Sequence, residues 1–203
     1  MRIMYVVPGP MGRTPEGKAE VQRRGRLLQQ WAASGTEVDI IDVPRGPASI
    51  ESMYEEYLSI PATVEQMMEV ERQGYDAAIL GCDGDPGLDA IREMVAMPVV
   101  GPGEAGFHAA AQLGYRFSIV TITQSVINSM RRLVENAGLG GRLASVRAVD
   151  TPVLMLAHDR AETVRRVVDQ GRKCLDEDCA DTLILGCMSM GFLGPEPIGL
   201  SSW

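Results

Sequence analysis

Asp76-Ala77-Ala78-Ile79-Leu80-Gly81-Cys82 is echoed 105 positions later by Asp181-Thr182-Leu183-Ile184-Leu185-Gly186-Cys187, identical at five of seven positions. Each copy is an apolar run of strand length that stops at a glycine. A continuous apolar run, rather than an alternating one, marks a strand covered on both faces, as in a parallel sheet. The repeat therefore predicts two similar lobes, each presenting one thiol at the same place in its sheet.

The residues before each copy follow one order. In the first half, Arg2–Val7 reads as a strand and Glu16–Ala33 as a helix stopped at Gly35. Glu37–Val43 is a strand halted by Pro44, Val64–Gln73 is a helix closed by Gly74, and Ala77–Cys82 is the third strand. In the second half, Glu104–Leu113 is helical, Arg116–Thr123 is a strand, and Gln124–Ala137 is a helix ending at Gly138. Ala144–Asp150 is a strand stopped by Thr151-Pro152, Ala161–Leu175 is a helix, and Thr182–Cys187 is the last strand. Strands alternating with helices imply parallel sheets with right-handed crossovers. The expected fold is α/β: two similar lobes, residues 1–101 and 102–203, each a parallel sheet flanked by helices and related by pseudo-two-fold symmetry.

The match breaks after the thiols. Asp85-Pro86 opens a further helix to about Val95, with aspartate at the cap and proline at the first helical position, and Pro98–Gly101 is a fourth strand. After Cys187 sixteen residues remain, rich in proline and glycine from Gly194 onward. That composition forbids a regular helix. An irregular tail from about residue 192 is expected, with the closing helix and strand that symmetry calls for missing.

Composition narrows the function. A hydrophobic share of 45% and a charged share of 23% suit a packed core. The net charge of −8 argues against nucleic-acid binding, which wants a basic face. No run of about 18 apolar residues exists to span a membrane, and the N-terminal strand lacks the features of a signal peptide. A cytoplasmic protein follows, with Cys82, Cys174, Cys179 and Cys187 reduced. No Cys-x-x-Cys pair or histidine spacing suggests a metal site. Cys174 and Cys179 read as small apolar packing residues. His108 reads as surface or packing, His158 as exposed, and Arg23, Arg24, Arg26, Arg131, Arg132, Arg165 and Arg166 as solvated helix faces.

In open parallel sheets, ligands sit at the carboxyl ends of the strands, where Cys82 and Cys187 both fall. The helix expected from Pro86 would favour a thiolate at Cys82, whereas Cys187 has no obvious helix after it. One thiolate and one thiol can move a proton between opposite faces of one carbon, with no metal and no cofactor. Around them, Asp83 is either a solvated loop carboxylate or a group that tunes the thiol or bonds a ring N–H. Gly84 lets backbone N–H groups approach an enolate. Thr121, Thr123, Gln124 and Ser125 share the sheet edge, Thr123 or Ser125 serving first as a helix cap. Met188 and Ser189 follow the second thiol, and Met188 is equally suited to gap filling.

Leu80-Gly81-Cys82-Asp83-Gly84-Asp85-Pro86-Gly87-Leu88-Asp89-Ala90 resembles the first active-site motif of hydantoin and allantoin racemases, in the aspartate/glutamate racemase superfamily. Ile184-Leu185-Gly186-Cys187-Met188-Ser189-Met190 resembles the second. Pro98-Val99-Val100-Gly101 with Glu104-Ala105, and Phe117-Ser118-Ile119-Val120-Thr121, resemble the segments between. The resemblance implies that Cys82 and Cys187 are the catalytic acid/base pair. The family's first strand ends in a polar stretch that lines the substrate pocket. Val7-Pro8-Gly9-Pro10-Met11 stands there instead, with Pro8 taken as substrate-binding.

The expected function is cofactor-independent racemisation at C5 of a 5-substituted hydantoin or a related cyclic ureide. The thiol-bearing loops hold no Lys or Arg for a dicarboxylate, although Arg13 can approach from the first loop. A small-molecule substrate, no nucleic acid, no membrane and a homo-oligomer complete the expectation. A maleate cis-trans isomerase or amino-acid racemase of the same superfamily, a truncated non-catalytic binding protein, and a thiol redox role stay open as alternatives.

Overall fold

The computed structural model describes residues 1–192. The chain divides into two compact units, Met1–Pro102 and a second from Gly103. The expected irregular tail, with its missing closing elements, falls almost wholly on residues 193–203, outside the described residues.

The first unit carries β1 (Arg2–Val7), α1 (Pro15–Trp31), β2 (Glu37–Asp42), α2 (Met53–Arg72), β3 (Ala77–Leu80), α3 (Leu88–Met94) and β4 (Val99–Val100). Its strands are all parallel, in the order β2-β1-β3-β4. The second carries α4 (Pro102–Leu113, which starts at the junction), β5 (Phe117–Thr121), α5 (Ile127–Asn136), β6 (Leu143–Ala148), α6 (Arg160–Asp176), β7 (Thr182–Leu185) and a single turn, α7 (Met188–Gly191). Its sheet is parallel in the order β6-β5-β7. Each unit thus has its first strand in the middle, its second on one side and its third on the other.

The repeated phrase does the same mechanical work in both units. Its aspartate clips the third strand to the first: Arg2 N–H donates to Asp76 Oδ2 at 2.7 Å, and Tyr115 N–H to Asp181 Oδ2 at 2.8 Å. Its glycine N–H donates back to the first strand, Gly81 to Val6 O at 2.7 Å and Gly186 to Val120 O at 2.8 Å. No side chain fits at either glycine. A Cβ at Gly81 would stand 2.6 Å from Tyr5 Cε1, and one at Gly186 would stand 2.5 Å from Ile119 Cγ2. The cysteine is therefore the first residue past the sheet that can carry a side chain.

The cores explain the strand composition. Met4 and Val6 of β1 pack with Met67 and Val70 of α2, Leu80 of β3 and Ile91 of α3. All five residues of β5 are buried. Successive side chains point to opposite faces. Phe117 and Ile119 pack with Phe107, Met130 and Val134 of α4 and α5, while Val120 joins Val167 and Cys174 of α6.

Three expectations about helices need correction. The second helix begins eleven residues before the expected Val64, at Met53. Ser52 caps it: Glu55 N–H donates to Ser52 Oγ at 3.2 Å, and the Glu55 carboxylate reaches back to accept from Glu51 N–H at 2.8 Å. Pro61 is tolerated inside it because it lies on the exposed face, where solvent can reach the carbonyl left without an N–H donor. The helix expected from Pro86 begins only at Leu88, behind Gly87 at φ 70°. Arg24 on α1 is buried rather than solvated, with Glu20 Oε1 2.8 Å from its Nε.

Candidate active site

In the first unit, Cys82 is half-buried at the carboxyl end of β3. The chain turns tightly through it: Cys82 N–H donates to Leu80 O at 2.9 Å, and Asp85 N–H to Cys82 O at 3.0 Å. The sulfur lies over Gly84, where a Cβ would be 3.7 Å from Sγ. Asp85 does not cap a helix, because it adopts a left-handed φ of 46° and is buried. Its carboxyl lies where a Cβ on Gly101 would stand, 2.6 Å from Cγ, so Gly101 admits no side chain. Aspartate tolerates that conformation better than most residues.

Asp83 is not a solvated loop carboxylate, since only 8% of it is exposed and Oδ2 has no hydrogen-bond partner. Burial, with the neighbouring Asp85 charge second, pushes its pKa up to about 8. Pro8 is buried at the end of β1. The loop after it is tied to the β2 end: Gly12 N–H donates to Asp42 Oδ2 at 2.7 Å, and Arg13 Nη2 to Pro44 O at 2.9 Å. β2 lies on the opposite side of β1 from β3. The one cation of the first loop is thus engaged at the sheet edge away from the Cys82 strand.

In the second unit, Cys187 is half-buried and stands at the cap position of α7, with Met190 N–H donating to its carbonyl at 2.9 Å. This reverses the expected helix placement, since a helical turn follows Cys187 directly while α3 starts six residues after Cys82. Helix-terminus fields fall off within a turn. Met188 and Ser189 are half-buried in α7.

Thr121 is fully buried and its hydroxyl donates to Gly186 O at 3.3 Å, so it braces the strand end that carries Cys187. Replacing Thr121 with Val keeps the shape and removes that bond. We expect a loss of about 1 kcal/mol, read as a lower urea midpoint at unchanged slope. Thr123 occupies the cap position of a 3-10 turn over Gln124–Val126, yet makes no side-chain cap; its hydroxyl is 2.9 Å from Ser125 Oγ. Gln124 is drawn off to Asp150 Oδ2 at 3.1 Å.

The other thiols separate from this pair. Cys174 is sealed in the core of the second unit, and burial raises its pKa. Cys179, expected to pack, is instead exposed at φ 58° in the turn after α6, because the chain must reverse there to enter β7. His108 and His158 are exposed. Among the described residues no group of three or more His, Cys, Asp or Glu could hold a metal ion, and no helix is long and apolar enough to cross a membrane.

The family model described as Asp/Glu/Hydantoin racemase matches residues 18–196, which include both copies of the repeat. The chain belongs to the Asp/Glu/hydantoin racemase family. The chain is 37% identical over 159 residues to the hydantoin racemase of Pseudomonas sp. (strain NS671), covering 78% of this chain and 64% of that protein. Against the hydantoin racemase of Paenarthrobacter aurescens the identity is 34% over 191 residues, covering 94% of this chain and 78% of that protein. The chain thus spans less than two thirds of the first relative's length and more of the second's. Among solved structures, allantoin racemase from Klebsiella pneumoniae superposes with a TM-score of 0.87 at 30% identity, over 95% of this chain and 76% of that one.

Signals for several residues around the thiols were absent from the sequence. Tyr5 reads only as a strand residue, yet its ring is what forbids a side chain at Gly81. Register supplies the missing information, since Tyr5 pairs with Ile79 across β1 and β3.

Proposed function

We propose that this racemase-family chain inverts the C5 stereocentre of 5-substituted hydantoins or a closely related cyclic ureide, using Cys82 and Cys187 as a general acid/base pair. The observation that carries this reading is the duplicated strand end. Both sheets close their third strand with a glycine that excludes a side chain, followed at once by a half-buried thiol. That arrangement offers each sulfur at the edge where parallel sheets bind ligands.

In the reaction, one cysteine thiolate takes the C5 proton and its S–H forms. The C5–H bonding pair moves toward the adjacent carbonyl, giving an enolate. The other cysteine delivers its thiol proton to the opposite face of C5 and is left as the thiolate. The two sulfurs end with exchanged protonation and the ring with inverted C5. Proton transfers of this kind contribute about 10²–10⁴-fold each in positioned sites.

A neutral ring is favoured over a dicarboxylate. Residues 82–87 and 187–191 contain no Lys or Arg, and the Arg13 guanidinium is committed to Pro44 O. A free carboxylate substrate would want a charge-assisted partner. The test is proton exchange at C5 of a single-enantiomer hydantoin in D2O, followed by NMR beside optical rotation. Deuterium should enter C5 as rotation decays to zero. Retention of the C5 proton across several 5-substituents, with exchange at Cα of aspartate, would move the protein to the amino-acid branch.

A further inference from the structure

The two-thiol reaction leaves one group at the Cys82 loop without a task. Asp83 is 8% exposed, and its Oδ2 has no hydrogen-bond partner. A buried carboxylate with an oxygen left unbonded is costly, so such a group holds its proton. A protonated carboxyl is a donor, and a donor is what a carbonyl or enolate oxygen needs.

We propose that Asp83 is a specificity-determining residue whose Oδ2–H donates a hydrogen bond to a carbonyl oxygen of the bound ring. This rests on the racemase reading above and deepens it. The occupant is defined as a neutral cyclic molecule with a carbonyl acceptor beside the reacting carbon. The bond is stronger to the enolate than to the ketone-like ground state, because charge develops on that oxygen during proton abstraction.

The surroundings agree. Burial first, and the charge of Asp85 second, hold the Asp83 proton to about pH 8. The two carboxyls share one short loop, and both are buried. Within the first unit, the ionisable groups on the adjoining elements are Cys82 itself, Arg2 and Tyr5 on β1, Tyr54, Glu55, Glu56, Tyr57, Glu65, Glu69, Glu71 and Arg72 on α2, and Asp89, Arg92 and Glu93 on α3. Arg92 is bonded to Val99 O at 3.1 Å, and Glu104 follows Gly101 in sequence. None of these supplies a donor to the bare Oδ2. When Asp83 loses its proton, the ring carbonyl meets a negative oxygen instead of a donor, and binding weakens.

The probe is 5,5-dimethylhydantoin, a ring with no C5 proton, so binding is read without turnover. Its affinity is measured by calorimetry at pH 6.5 and pH 9 for the parent, Asp83→Asn and Asp83→Ala. Asn keeps the shape and a donor at every pH. Any ionisation of the ligand affects parent and Asn equally. The parent and Asn proteins should bind within about 3-fold of each other at pH 6.5, and the parent should be about 10-fold weaker than Asn at pH 9. Ala should be about 10-fold weaker than Asn at both. A parent-to-Asn ratio that does not change with pH overturns the proposal. So does a parent that gains affinity at pH 9, or one that never binds the probe. If Ala will not fold, the parent–Asn ratio alone decides. Binding in the expected pattern without C5 exchange sinks the racemase reading and leaves the Asp83 donor standing; exchange with a flat ratio does the reverse.

Discussion

Changing Cys82 to Ser, or Cys187 to Ser, should each lower racemisation by about 10³-fold while the protein stays folded. Serine is nearly the same size, so half-buried positions such as these accept it. Its hydroxyl ionises far above neutral pH, however, so it cannot serve as the resting base. The two variants should not fail alike. With one thiol remaining, deuterium should still wash into C5 of the enantiomer whose proton that thiol removes, without inversion. The other variant should show the mirror behaviour, and the double variant should exchange neither. These patterns are measured by NMR in D2O on each enantiomer separately. Loss of exchange for both enantiomers in one single variant, with full exchange of both in the other, would point to one catalytic thiol and would end the paired-acid/base reading. Cys179→Ser, exposed in the turn after α6, should leave the rate unchanged.

Gly81→Ala should cost about 3 kcal/mol, the upper end for adding one methyl to a packed site. The added Cβ would lie 2.6 Å from Tyr5 Cε1 and 2.8 Å from Val6 O. Tyr5 is fully buried, and Val6 O is main chain that already accepts the Gly81 N–H, so neither neighbour can withdraw cheaply. Relief requires β3 to slide, which carries Cys82 with it. Stability by urea titration and C5 exchange should therefore fall together. Gly84→Ala is the contrast. Its Cβ would meet only Cys82 Sγ, at 3.7 Å, an ordinary contact. Stability should stay within about 0.5 kcal/mol. A stable Gly81→Ala protein with full exchange would show that the strand end tolerates movement and that the glycine does not fix the thiol.

Much of this molecule was legible in its letters. Leu80 and Leu185 announce buried strands by apolar continuity, and both open into Gly-Cys. The glycines that end α2 and α5, Gly74 and Gly138, are left-handed as terminators should be. Elsewhere local rules pointed the wrong way. The helix expected only from Val64 in fact runs through Pro61, because a proline's cost depends on whether the carbonyl it strands can reach water. Asp85-Pro86 has the letters of a helix start. Asp85 instead takes a left-handed φ with its carboxyl against Gly101, and Gly87 occupies the cap position of α3. Ser52 with Glu55 three residues on is a cap signal already present in the sequence, and it marks the start of α2.

The sequence by itself determined the two-fold repetition, the parallel sheets, the strand ends and the residue type placed at each. These depend on periodicity and on what each residue does to its own backbone. Only the tertiary structure decided which of those residues are sheltered from water. It buried Asp83 without a partner for Oδ2, turned the Thr121 hydroxyl onto Gly186 O, put a helical turn behind Cys187 and left Cys179 outside. Protonation and hydrogen bonding follow from the solvent and neighbours around an atom. Those neighbours come from chain segments tens of residues away, which no local pattern encodes.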